Sequence, residues 1–213
     1  MSLKKKILIG VVSLAVVAII ALTSVFAAQS FSATATSTVS FSVGKNVQCD
    51  VWIRFAEFKS NETTFSSAKA TKTSNVFSAS LKAEDSNSEA ASFGNLQYTS
   101  HGYTWWMIVY IVNKGAENTK ITISPATSSA TNLVFSSFKS GMTLTKTSDT
   151  NWSLSGTQTD VANVDTTGVT IAGATTVGGS GGSVCFTRQI DINSKVSSVG
   201  TSKLAWTITL AGV

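Results

Sequence analysis

His101 is the sole histidine among 213 residues, so the helical His-Glu-x-x-His pair that holds a catalytic zinc cannot form. Beside Gly102 and Tyr103 it reads as a strand-edge residue. A secreted hydrolase would need an acid pair assembled from eleven scattered Asp and Glu, and we expect no enzyme. Asp160, Asn163 and Asp165 could offer oxygens to Ca²⁺, but their spacing fits no established loop and a solvated turn is the simpler reading. We expect no cofactor. Asn61-Glu62-Thr63 and Asn151-Trp152-Ser153 satisfy the glycosylation sequon, which carries meaning only in a host that modifies it. Trp52 and Trp152 can stack on sugars if exposed, although packing is the commoner fate of tryptophan.

Cys49 and Cys185 are the remaining reactive pair. Both fall in strands that should face a core, and export to an oxidising compartment would let them bridge. Closing a loop of about 137 residues would stabilise the fold by roughly 4–5 kcal/mol in the chain-entropy model. The alternative is two buried free thiols, which are common in cores.

The elements that must position these residues begin with a leader. Lys4, Lys5 and Lys6 precede an apolar stretch over residues 7–22, and Val25-Phe26-Ala27 suits signal peptidase, so residues 1–27 read as a signal peptide cleaved before Ala28. A retained transmembrane anchor over residues 7–28 is the alternative, since that run can span a bilayer. Either way we expect membrane contact through the leader alone. No glutamate follows the basic cluster, unlike a type IV pilin, and no cysteine is placed to take a lipid. Ala211-Gly212-Val213 show no sorting motif, so covalent wall attachment is not expected. Lys and Arg number sixteen against eleven Asp and Glu. With three of those lysines in the leader, the remainder is nearly balanced, and nothing favours nucleic acid as a partner. The 43% hydrophobic content supports a real core.

Residues 30–43 alternate almost without a break. Phe31, Ala33, Ala35, Val39, Phe41 and Val43 take odd positions and hydroxyl residues the even ones; Ser37 alone departs. Period two gives an extended strand with one apolar face, over twice the usual length of about 5–6 residues. After Gly44-Lys45-Asn46, the residues Val47, Cys49, Val51, Ile53 and Phe55 alternate again. Phe77, Ala79, Leu81 and Ala83 form a third run, after which Ser86 and Glu89 can cap a short helix. Over residues 103–112 both faces are apolar, and such a strand must be covered on both sides. Ile121 and Ile123, weaker runs at 133–138 and 142–144, a flexible Gly/Ser loop at 178–183, and closing strands at 184–192 and 204–210 complete the pattern. Eight to ten short strands predict an all-β antiparallel β-sandwich or jelly roll over residues 44–213, preceded by an extended N-terminal strand at 28–43.

The leader, the early Phe31, the Ile111-Val112-Asn113-Lys114-Gly115 turn, the alternating Ile121 and Ile123, and the terminal apolar-x-Trp-x-apolar strand around Trp206 resemble the TasA/camelysin group. These are biofilm-matrix fibre proteins of Gram-positive bacteria, with archaeal bundling pilins as structural relatives. The resemblance covers most of the chain after the leader. It implies jelly-roll subunits that polymerise by giving the N-terminal strand to the next copy. The peptidase activity ascribed to camelysins has no zinc ligand set to rest on here.

Donation has to offset the ordering of about eight residues, on the order of 8–16 kcal/mol. Phe31, Phe41 and Val39 or Val43 return about 1.5–3 kcal/mol each, so the groove must also satisfy the strand's backbone. We expect Phe31, Ala33 and Ala35 to enter a neighbour, with Val39 and Phe41 in the home sheet. The alternative is that the whole run is the domain's own first strand, or that its first half is a disordered tail. The function expected is therefore a secreted subunit of an extracellular filament, partnered by itself, with neighbouring filaments or matrix polysaccharide as further candidate partners. A monomeric surface adhesin or carbohydrate-binding sandwich that stays tethered by its N-terminal leader helix is the second reading.

Overall fold

The computed structural model describes residues 33–58, 76–84, 90–98, 104–124, 133–146, 152–176, 179–192 and 201–213. Twelve strands occupy them: β1 Ala33–Val43, β2 Gln48–Phe58, β3 Val76–Glu84, β4 Ala90–Tyr98, β5 Thr104–Asn113, β6 Thr119–Ser124, β7 Leu133–Phe135, β8 Lys139–Lys146, β9 Trp152–Asp160, β10 Val169–Ile171, β11 Ser183–Ile192 and β12 Thr201–Gly212. The fold is an all-β sandwich. One sheet runs β10-β6-β12-β1-β4; the other runs β3-β2-β5-β11-β8-β9, with β7 pairing β11 beside that path. Every pairing is antiparallel except β1 with β12, which is parallel.

Period-two patterning decides which side chains meet between the sheets. On β12, Leu204, Trp206, Ile208 and Leu210 are buried while Ala205 is exposed. On β2, Cys49, Val51, Ile53 and Phe55 face inward. Phe55 meets Phe93 of β4 edge-on, centroids 4.9 Å apart, and Phe135 meets Trp206 at 5.5 Å and 88°. These ring pairs tie one sheet to the other, and such contacts add about 0.5–1.5 kcal/mol beyond their area.

The two-faced apolar strand at residues 103–112 is β5, and its second face has a specific cover. Trp106 and Ile108 pack with Ala56, Phe58 and Cys185 against Met142, Leu144 and Leu154 of the β8–β9 hairpin. That hairpin joins β11 at one register pair, Thr187 with Lys139. Beyond it the register shifts between Ser140 and Met142, and Gly141 (φ +93°) and Gly156 (φ +99°) turn the backbone. A Cβ on Gly156 would lie 2.7 Å from the Gly141 carbonyl oxygen. No L-residue side chain fits that bend, so the two glycines are what let the hairpin fold over the sheet.

Two expectations need correction. Ser86 and Glu89 lie outside the described residues, but the segment that a helix there would enter is strand β4. Phe93 and Leu96, three apart as on a helix, are both buried because the pairing with β1 shifts by one residue beside Gly94. The Gly/Ser stretch is also tied down where it is described. Gly181 N donates to Asn113 O at 2.8 Å and Gly182 N to Ala172 O at 2.9 Å. A Cβ on Gly181 would sit 2.5 Å from the Ala172 oxygen, so its glycines serve close backbone approach rather than freedom.

Candidate functional site

The arrangement most open to function is the slot that β1 fills. Residues Thr34 to Val43 pair in parallel, without interruption, with Thr201 to Leu210 of β12. On the other side Ala33 to Thr36 pair with Tyr98 to Asn95, and Ser37 to Ser40 with Phe93 to Ala90 of β4. The register shift between them falls at Ser37, the residue that breaks the alternation. β1 is thus an interior strand. Among the described residues β4 pairs with no other strand of its sheet, so lifting β1 out would strand β4 and bare the edge of β12.

The described side chains show how the slot grips. Val39 is fully buried, and Ala91, Phe93 and Leu96 of β4 and Trp206 and Ile208 of β12 are buried on either side. Ser40 Oγ donates to Trp206 O at 3.2 Å and lies 3.2 Å from Thr207 Oγ1. Gly44 N continues the ladder to Leu210 O at 2.7 Å, and Asn46 at φ +64° turns the chain into β2, a conformation asparagine tolerates. Phe31 lies outside the described residues. Ala33, Ala35, Val39 and Phe41 all lie on β1, and all four pair within their own chain.

Beneath the slot sits a buried cation. Arg188 is nine-tenths buried on the inward face of β11, its guanidinium 4.5 Å from the Phe138 ring, 5.2 Å from Phe135 and 5.6 Å from Trp206. Its Nε donates to Ser136 O at 2.8 Å. Burial pulls its pKa down and the nearby Asp165 pushes it up; a guanidinium keeps its charge in either case. Ring faces take the place of a carboxylate as its solvation. Trp206 is also the register partner of Val39, so the cation braces the floor of the slot.

Cys49 and Cys185 are both free and buried. The expected bridge is absent, and the register explains why. Cys49 pairs with Asn113 and Cys185 with Tyr110, on opposite sides of β5 and on opposite faces of the sheet, beyond the roughly 7 Å Cα separation a disulfide can span. Burial pushes the Cys49 thiol up to about 11, helped by the Asp50 charge and opposed by the Thr119 hydroxyl. Burial alone takes Cys185 to about 12.

The oxygen-bearing residues do not converge. Asp160 faces Lys139 at 3.6 Å and accepts from Ser137 Oγ at 3.3 Å. Asn163, at φ +66°, accepts the amides of Thr166, Thr167 and Gly168 on its carbonyl and closes a turn. Among the described residues no three His, Cys, Asp or Glu side chains gather as metal ligands. His101, Asn61 and Asn151 lie outside the described residues. Trp52 is half-buried and stacks on Tyr110, centroids 5.5 Å apart, on the outer face of the β2–β5 pair.

Asn113, which sequence reading took only as a turn residue, is a hub. Fully buried, its Nδ2 donates to Glu117 O at 2.7 Å and Ala172 O at 3.1 Å, while Oδ1 accepts from Gly115 N at 2.9 Å. One amide side chain thereby satisfies three backbone groups where β5 turns toward β6. An Asn at the end of a run of ten mostly buried residues was the available signal. No protein-family model matches this sequence, and no curated protein matches it either.

Proposed function

We propose that the protein is a secreted structural subunit of an extracellular filament, in which the N-terminal segment of one copy completes the sheet of the next. The observation that carries this reading is the place of β1: a first strand, interior to its sheet, without which β4 has no sheet partner among the described residues. A slot of that shape must be filled by a strand, and a second copy carries the same strand. Backbone hydrogen bonding on both edges supplies what side-chain burial alone cannot. In this reading the donated part ends and the home part begins at Ser37, a division that the shift in pairing with β4 at that residue supports. Deleting residues 28–35 and viewing the secreted protein by negative-stain microscopy tests it. Loss of fibres with retention of folded particles is expected; fibres of normal length and number would refute the reading.

A second reading has its own observation. Trp52 and Tyr110 stack at half-buried positions on an outer sheet face, a platform on which a sugar ring can rest. A monomeric carbohydrate-binding sandwich would bind soluble polysaccharide and lose that binding on Trp52→Ala, with no fibres in the same sample.

A further inference from the structure

Resting on the filament reading, we propose that β1 is also an autoinhibitory strap: in the single chain the joining segment occupies its own slot and keeps the subunit from assembling until it is released. Thr34 to Val43 pair continuously with the chain's own β12, and Ala33 to Ser40 with its own β4. No vacant edge is left between those strands for a neighbour's segment.

The tether makes this self-closure strong. Residues 44–47 connect β1 to β2, four residues reaching at most about 13–14 Å, so the strand is never far from its own slot. A short link of that kind gives an effective concentration in the millimolar range. A second copy at micromolar concentration is therefore at a disadvantage of about a thousand-fold. Exchange also requires a run of ladder hydrogen bonds on both sides to break before new ones form, which makes opening slow as well as rare.

The register shift at Ser37 divides β1 into two halves. Past Ser37, Val39 is fully buried, Ser40 bonds to Trp206, and Gly44 bonds to Leu210. Before it, Ala33 to Thr36 face the part of β4 that lies beyond the register shift. The strap opens from its N-terminal end, because the link at residues 44–47 holds residues 37–43 close to β2.

Two cysteine pairs read out both halves, placed in the Cys49→Ala/Cys185→Val background so that no other thiol competes. Thr34→Cys/Thr201→Cys reports the releasable half and Ser40→Cys/Thr207→Cys the fixed half, each joining residues in register. Monomers and filaments of each variant are oxidised and run on non-reducing gels. The expected result is an intrachain 34–201 bond in monomers, an interchain ladder from the same pair in filaments, and an intrachain 40–207 bond in both. Monomers locked through 34–201 should not assemble, and adding reductant should restore assembly. If monomers form no intrachain 34–201 bond while filaments still give the ladder, the strap is refuted and strand donation stands. If filaments carry only intrachain 34–201 bonds, strand donation itself is refuted. Thr36→Cys/Lys203→Cys, two positions along in the same register, replaces the first pair if that variant does not fold.

Discussion

A chain lacking residues 28–43 should fail to hold its first sheet together, and a peptide spanning Ala33–Val43 should repair it in trans. Without β1 the burial of Val39 is lost, and β4, having no other sheet partner among the described residues, releases Phe93 and Leu96; these three are now 0%, 5% and 0% exposed. At about 1.5–3 kcal/mol for each buried side chain, the loss is roughly 5–9 kcal/mol, comparable to the whole stability of an ordinary domain. Urea unfolding followed by near-UV circular dichroism measures it. The truncated chain should show no cooperative transition, or one displaced by that amount, and added peptide should restore it in a saturable way. A peptide carrying Val39→Asp should not, because it would bury a carboxylate without a partner. A truncated chain that unfolds cooperatively at the midpoint of the full chain and ignores the peptide would refute the account of the slot.

Three other outcomes follow from the geometry. Gly156→Ala places a side chain at φ +99° and 2.7 Å from a carbonyl oxygen; it should cost at least about 1–2 kcal/mol and expose Trp106, seen as increased binding of a hydrophobic dye. Asn113→Ala should cost about 2–4 kcal/mol in thermal unfolding by orphaning buried backbone groups, and Asn113→Asp at least as much, since a carboxylate cannot donate to Glu117 O or Ala172 O. Folding raises both thiol pKa values, to about 11 for Cys49 and about 12 for Cys185, so the unfolded chain sheds these protons first. The thiols therefore leave stability unchanged below the unfolded value near 9.0 and lower it as pH climbs from there toward 11–12. The stability of the Cys49→Ala/Cys185→Val variant should fall less steeply between pH 8 and 10.5, and a thiol reagent should label the native protein slowly.

Strands whose apolar residues alternate strictly were legible because period two needs no tertiary information. β2 and β12 lie where Val51 and Trp206 put them. β4 was missed because its register shift sets Phe93 and Leu96 three apart, which mimics a helix, and only pairing with β1 exposes the trick. β9 was missed because only Trp152 and Leu154 at its start are apolar, and the rest is Ser, Gly, Thr, Gln and Asp. The apolar outer face of β5 announced that a cover exists, but not that Met142, Leu144 and Leu154 provide it, since that depends on a bend at two glycines. Cysteine count and compartment suggested a bridge; which face each thiol points to is a property of register. Arg188 gave no signal, because an arginine in an alternating strand looks like a surface residue until Phe135, Phe138 and Trp206 close around it.

The parallel pairing of the first strand with the last has a consequence for biogenesis. Residues 33–43 are synthesised well before their chief partner, residues 201–212. Contacts of such sequence separation form slowly, so every newly made copy passes through an interval in which residues 33–43 exist and their partner edge has not yet been built. Under the filament proposal, a finished edge on a second copy competes for the segment during that interval, so nascent chains would join more readily than chains already closed on themselves.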